Sequence, residues 1–314
     1  LISIIALKEF KIESNLAISE LFNLNKKKNK IDINDLGYLV GPILNAGGRL
    51  GKSNYATELL SSDNPKIINE RSIELIMLNE KRKKFEKVIL EEINFAKIEK
   101  ENKDVVIYFN PNINEGLIGI IAARLKDYFN KPSIVITASG DTLKGSARSI
   151  YNYNIGRVIK DLLDDKIILS GGGHNMAAGF TLKKNNLVNF EDCILKDFLE
   201  SGAFTDVPFN YCSEISPIAF NKNFFEDIKK IQPFGIGNPV PTFLFKDLRI
   251  MKSNILNDKH ISLILRSKIG FSIKSISFNS VNSKIGEYLL NYKKDLHVIG
   301  QINENFWNNK NTLQ

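Results

Sequence analysis

Residues 170–180 read "SGGGHNMAAGF". Three glycines run into His174, and small residues follow. Successive glycines let backbone N–H groups converge on an anion without interference from a Cβ, and a neighbouring histidine can donate to a phosphate oxygen. The same residues also suit a tight turn beside a core histidine. The bare stretch leaves both readings open. No GK[ST] follows it, so it is not a nucleotide P-loop, and it does not have the GxGxxG form that follows a first strand. His174, His260 and His297 lie far apart, and no HxH, HExxH or DxD-type cluster accompanies them. A metal site built from this chain alone is therefore not expected.

The segments around this stretch place it in an α/β unit. "DVVIYFN" (104–110) and "PSIVITAS" (132–139) are β-rich runs, and "LKGSARSI" (143–150) alternates like a third strand. "GLIGIIAARLKDYFN" (116–130), "NIGRVIKDLLDD" (154–165) and "NLVNFEDCILKDFLESG" (186–202) have helical spacing. Strands alternating with helices predict a compact α/β domain, with "GFTL" as a short strand after the glycines.

Upstream, residues 63–102 predict one long helix, started by Asn64 and Pro65. Its amphipathic spacing runs through Ile73, Ile76, Met77, Phe85, Val88, Ile89 and Ile93, and a spacer between two domains fits its length. Two shorter helices with a break near Glu80–Lys84 are the alternative. Residues 1–24 read as short helices, and "KKKNK" (26–30) as a basic loop. In "DINDLGYLVGPILNAGGRLG", Asp35 caps a short turn, Pro42 breaks it, and Gly47 and Gly48 loosen the backbone before Arg49. Downstream of 204 the character turns to β. "LRIMKSNIL", "HISLILRS", "FSIKSISFN" and "LHVIGQINENF" follow the Pro/Gly loop "QPFGIGNPVPTFLF". Short strands at this spacing fit a small barrel of OB type, with an ordinary β-sandwich as the alternative. "WNNKNTLQ" reads as a turn and one severed strand, as if the pattern stopped midway.

The chain has 314 residues and a net charge of +8, enough for two or three domains. The charge balance is +3 over residues 1–103, zero over 104–203 and +5 over 204–314. A basic excess in the flanks suits a polyanionic partner and equally a solvated lysine-rich surface. Cys193 and Cys212 are too few for a disulfide framework, so a reduced, cytoplasmic setting is expected. No apolar run reaches the ~18 residues of a membrane helix, and no membrane partner is expected.

Polar residues in small-residue surroundings are the remaining candidates. Arg148, on its predicted strand, can fork onto a phosphate or pair with a carboxylate. Asn45 and Arg49 sit in a glycine-rich turn. Tyr151, Tyr153, Phe234, Phe243, Phe271, Phe278, Phe306 and Trp307 lie near basic residues and are base-stacking or core positions.

Taken in order, "GPILNAGGRLG" (41–51), "GLIGIIAARL" (116–125), "GSARS" (145–149), "GGGHNMAAGF" (171–180) and "PFGIGNPVPTF" (233–243) resemble the RecJ family. These are single-stranded-DNA-specific 5′→3′ exonucleases of the DHH phosphoesterase superfamily. The resemblance implies a fold of α/β plus β. Residues 1–62 would be the C-terminal part of a DHH catalytic domain, 63–102 a connecting helix, 103–203 a DHHA1-type substrate-binding domain, and 204–314 an incomplete OB-fold.

It implies metal-dependent phosphodiester hydrolysis in DNA repair and recombination, with Mn²⁺ or Mg²⁺ bound by DHH residues. This chain has no DHH triplet, and the catalytic and metal ligands are expected upstream of Leu1. The fragment itself is expected to be inactive alone. The implied phosphate contacts are Asn45, Arg49, Ser146, Arg148, Gly171, Gly172, Gly173 and His174. Single-stranded DNA is the implied partner of a monomer, with single-strand-binding protein and helicase as further partners. Two alternatives stay open: a catalytically inactive single-stranded nucleic-acid-binding scaffold, or a phosphodiesterase for short oligonucleotides or cyclic dinucleotides.

Overall fold

The computed structural model describes residues 15–26, 34–203, 210–235, 237–281, 283–292, 295–307 and 310–314. The chain divides into two compact units, with the boundary between Ala203 and Asn210.

The first unit opens with helices. Asn15 caps α1 (Leu16–Leu24) by accepting from the Ile18 N–H at 2.9 Å. A π-helical turn (Asp35–Val40) runs straight into α2 (Gly41–Arg49). Pro42 therefore does not break this segment. It sits in the first turn of α2, where a missing N–H costs nothing. After α3 (Tyr55–Ser61) comes α4 (Pro65–Glu92), started by Asn64 and Pro65 as expected. Leu21, Phe22, Ile43, Leu59 and Leu75 form the core that joins these helices.

The long helix departs from the sequence expectation twice. It is continuous through residues 80–84 but stops at Glu92. Ile93 is extended, and the Asn94 side chain accepts from the Lys97 N–H, starting α5 (Phe95–Glu101). An asparagine oxygen that can cap a new first turn competes with continuing the old one. The buried face also differs. Ile73, Met77, Phe85 and Val88 are exposed, whereas Ile68, Ser72, Leu75, Asn79 and Glu86 are buried. The buried stripe keeps helical spacing, and two of its polar members, Asn79 and Glu86, are hydrogen-bonded to arginines.

The α/β part follows as β1 (Val106–Phe109), α6 (Glu115–Phe129), β2 (Ser133–Ser139), β3 (Thr142–Arg148), α7 (Ile155–Asp164), β4 (Ser170–His174), β5 (Ala177–Lys183) and α8 (Leu187–Glu200). The sheet order is β1-β2-β3-β5-β4. β1 and β2 are parallel across α6, and the remaining pairs are antiparallel. The glycine stretch is thus an edge strand rather than a loop. Leu143, Ala147, Ala178, Phe180 and Leu182 face α7 and α8 on one side of the sheet. Val106 and Val135 face α6 on the other.

The second unit is a curled, open sheet in the order β10-β7-β8-β9. Its strands are β6 (Ser213–Glu214), β7 (Phe243–Leu256), β8 (His260–Ser267), β9 (Ser272–Ser277) and β10 (Leu296–Gly300). β6 pairs in parallel with the start of β7. Helices α9 (Lys222–Lys230) and α10 (Lys284–Asn291) close its core with Phe225, Ile228 and Leu289. The 14 residues of β7 pair with β10 over their first half and β8 over their second. The register shifts between Ile250 and Lys252, which bends the strand. β11 (Glu304–Trp307) and β12 (Lys310–Leu313) form a separate antiparallel pair. The Pro/Gly loop is pinned by Asn238, whose amide donates to the carbonyls of Ile231 at 2.7 Å and Pro233 at 3.1 Å. The architecture is the α/β plus β class expected from the sequence, with an OB-like rather than sandwich-like second part. No helix among the described residues is long and apolar enough to cross a membrane.

Candidate functional site

Register places the candidate residues. Arg148 of β3 is paired with Ala177 of β5, and Ala177 with His174 of β4. Ser146, Gly179 and Gly172 form the next such row, and Lys144, Thr181 and Ser170 the one after. Residues opposite one another in a ladder project to the same face. Arg148, Ser146, Lys144, Gly172 and His174 therefore share one face, the one that α6 covers only as far as β3. Strands lie ~4.8 Å apart, so His174 stands roughly 10 Å across the sheet from Arg148. Between them the floor is Ala177, Gly179 and Gly172. At the Lys144 end of the same face lies a shallow groove of ≈ 420 Å³, lined by Glu115, Ile118, Lys144, Ser170, Gly172 and Thr181, with Gly172 and Gly179 shared between it and the Arg148–His174 floor.

The three glycines divide by face. A Cβ on Gly172 would meet nothing. One on Gly171 would lie 2.9 Å from the side chains of Ile159 and Ile168, and one on Gly173 would lie 2.6 Å from the Ala178 Cα. Gly171 and Gly173 let the edge strand pack closely, and Gly172 alone lies open to the groove. The His174 Nδ1 accepts from the Met176 N–H at 3.3 Å. With Nδ1 accepting, Nε2 is the exposed donor that the ring offers on this face.

Arg148 sits over this floor, bonded to its own strand. Its Nη1 donates to the Ser146 Oγ at 3.2 Å and the Ala147 carbonyl at 2.8 Å. Among the described residues no carboxylate pairs with it. Burial alone pushes the Arg148 pKa down. Gly119 of α6 makes room for it: a Cβ there would approach the Arg148 Nη2 at 3.0 Å and the Ser146 Oγ at 3.1 Å.

Arg49 comes to the same place from α2. Its Nη1 reaches the Gly116 carbonyl at 3.5 Å, a long contact at the start of α6. Its pKa is pushed down by burial first, then by the like charges of Arg82 and Arg148, and is partly restored by Glu86. Asn45 is exposed one helical turn before Arg49.

Of the eight residues predicted from sequence, Ser146, Arg148, Gly172 and His174 share one face, and Arg49 lies within electrostatic reach of Arg148. Sequence reasoning missed Lys144, Gly119, Arg82 and Glu86. Lys144 could have been found from the alternation of "LKGSAR". Gly119 could not, because its role depends on which strand lies beneath it. The aromatic candidates also divide. Tyr151 and Phe278 are 86% and 66% exposed, and Tyr153 and Phe243 are core. Phe234 and Phe271 pack at the core's edge. The side chains of Phe306 and Trp307, with Ile236 of the Pro/Gly loop, lie outside the described residues.

Among the described residues, no group of three or more His, Cys, Asp or Glu side chains could hold a metal ion. Their donor set does not fit a catalytic Mn²⁺ or Mg²⁺, and no hydrolytic step is derived from them.

Family models for the DHHA1 domain and the RecJ OB domain match residues 102–200 and 213–314. The single-stranded-DNA-specific exonuclease RecJ of Haemophilus influenzae is 29% identical over 289 residues, covering 86% of this chain and 48% of that protein. RecJ of Escherichia coli is 27% identical over 295 residues, covering 87% and 50%. The chain spans about half the length of these curated relatives. The crystal structure of RecJ from Thermus thermophilus in complex with Mg²⁺ covers 96% of this chain and 45% of its own, with a TM-score of 0.77 and 20% identity. That likeness shows the fold. With the two domain matches in register with the two units, and relatives that agree along most of the sequence, the chain matches the RecJ family in its DHHA1 and OB domains.

Proposed function

We propose that this chain is a strand-holding unit that grips single-stranded DNA through its phosphates and does not itself cut. The observation that carries this is Arg148, a half-buried guanidinium with no carboxylate partner among the described residues, over a floor of Ala177, Gly179 and Gly172. A desolvated cation without a counter-charge is costly, and an arriving phosphate removes that cost. Ser146, the His174 Nε2, Arg49 and Asn45 are the further donors. The open Gly172 lets a sugar–phosphate backbone lie close to the sheet. The residues assigned to phosphate binding thus number fewer than the sequence motif offered, since Gly171 and Gly173 serve packing.

In the longer RecJ-type protein, this unit would present the strand for 5′→3′ exonucleolytic hydrolysis. Mn²⁺ or Mg²⁺ would activate water and neutralise the scissile phosphate in such an enzyme, at residues other than those described here. The family assignment supports that role for the whole protein, while the donor set described above supports binding without cleavage for this chain. The test is the purified 314-residue chain with a labelled oligo(dT), with and without Mn²⁺. Salt-sensitive binding without shortening of the strand is expected. Metal-dependent degradation would overturn the non-cutting assignment, and no binding at low salt would overturn the strand-holding one.

A further inference from the structure

Glu86 lies in a lysine-rich run of α4, "KRKKFEKV", where the sequence gives it no distinction. In the structure its side chain is only 10% exposed. A buried carboxylate needs partners, and it has two from different helices. Its Oε2 accepts from the Arg82 Nη1 at 2.8 Å, and its Oε1 accepts from the Arg124 Nε of α6 at 2.7 Å. Arg82 is also fixed on its other side, where its Nε donates to the buried Asn79 at 3.1 Å. Arg82 in turn repels Arg49, whose other cationic neighbour is Arg148. Four guanidinium groups thus gather where α2, α4, α6 and β3 meet. Among the described residues, Glu86 is the one carboxylate paired with any of them.

We infer that Glu86 is a positioning residue for this cluster: it engages Arg82 and Arg124, and so leaves Arg49 and Arg148 as the guanidinium groups presented to a strand phosphate. The inference rests on the strand-holding function above. Glu86 touches no phosphate in it. It acts by tying α4 to α6 and by holding the Arg82 charge behind Arg49.

The test is a double-mutant cycle on the full chain, read as the affinity for fluorescein-labelled oligo(dT) at fixed salt. Glu86→Gln keeps the shape and removes the charge. It is expected to weaken binding about 10-fold in the wild-type background, and by about twofold or less when Arg49→Ala is already present. Equal weakening in both backgrounds marks a merely structural role and overturns the inference, as does unchanged or tighter binding. If Glu86→Gln does not fold, Arg124→Gln replaces it, because that side chain is 55% exposed. The same Arg49-dependent loss is expected. A loss that persists beside Arg49→Ala means that Arg124 touches the strand directly, and overturns the inference. A wild-type chain that never binds oligo(dT) overturns both the inference and the function beneath it. One that binds while the cycle is additive overturns the inference alone.

Discussion

At the scale of single residues, the groove depends on what each side chain can reach. Among the described residues, Arg148 has hydrogen bonds only to its own strand, so removing it deprives the fold of little. Arg148→Ala is expected to weaken oligo(dT) binding and to flatten the slope of log K against log salt by about 0.7–1, with the melting temperature nearly unchanged. Fluorescence anisotropy across a salt series measures it, and an unaltered slope would assign Arg148 to structure alone. Gly119 offers a sharper separation of stability from function. Alanine in a helix interior is favoured over glycine by about 1 kcal/mol. Yet a Cβ at 119 meets the Arg148 Nη2 and the Ser146 Oγ, both at the ends of movable side chains. Gly119→Ala is therefore expected to melt no lower than wild type while binding oligo(dT) several-fold more weakly, since the guanidinium must leave its place.

At the scale of elements, β4 and α4 each present two unlike faces. On β4, Gly172 is open and Gly173 is pressed against the Ala178 backbone. Gly173→Ala is expected to destabilise the first unit by about 1–3 kcal/mol through overpacking. Gly172→Ala is expected to leave stability level or slightly raised, since glycine weakens a strand, and to weaken oligo(dT) binding by filling the groove floor. Denaturant melts of both variants with binding titrations check the pair, and equal destabilisation would contradict the face assignment. On α4, Leu75 is fully buried and Met77 is 66% exposed. Leu75→Ala is expected to cost about 2–5 kcal/mol, and Met77→Lys to change stability by about 0.5 kcal/mol or less. The sequence pattern alone points to Met77 as core. Periodicity marks a helix but does not say which face finds neighbours. Here the inward face carries Asn79 and Glu86, both bonded to Arg82 of the same helix, and Glu86 also takes Arg124 from later in the chain.

At the scale of the whole molecule, the two units have separate cores, one of them built from α7, α8 and the sheet and another from α9, α10 and the curled strands. The groove and the arginine cluster lie entirely in the first unit. Residues 15–203 expressed alone are expected to retain the Arg148-dependent part of oligo(dT) binding, and loss of that dependence would place the groove's function elsewhere. The sequence by itself determined most of the order of helices and strands and the change from α/β to β near residue 204, and it picked out Arg148 and His174 as candidates. These are local properties, set by periodicity, capping residues and small-residue runs that act over a few positions. Only the tertiary structure decided that the glycines form an edge strand, that Gly172 alone among them faces the groove, and that Glu86 joins Arg82 to Arg124. Each of these depends on which distant segment lies against the residue, and a buried charge or a bare glycine takes its meaning from that neighbour.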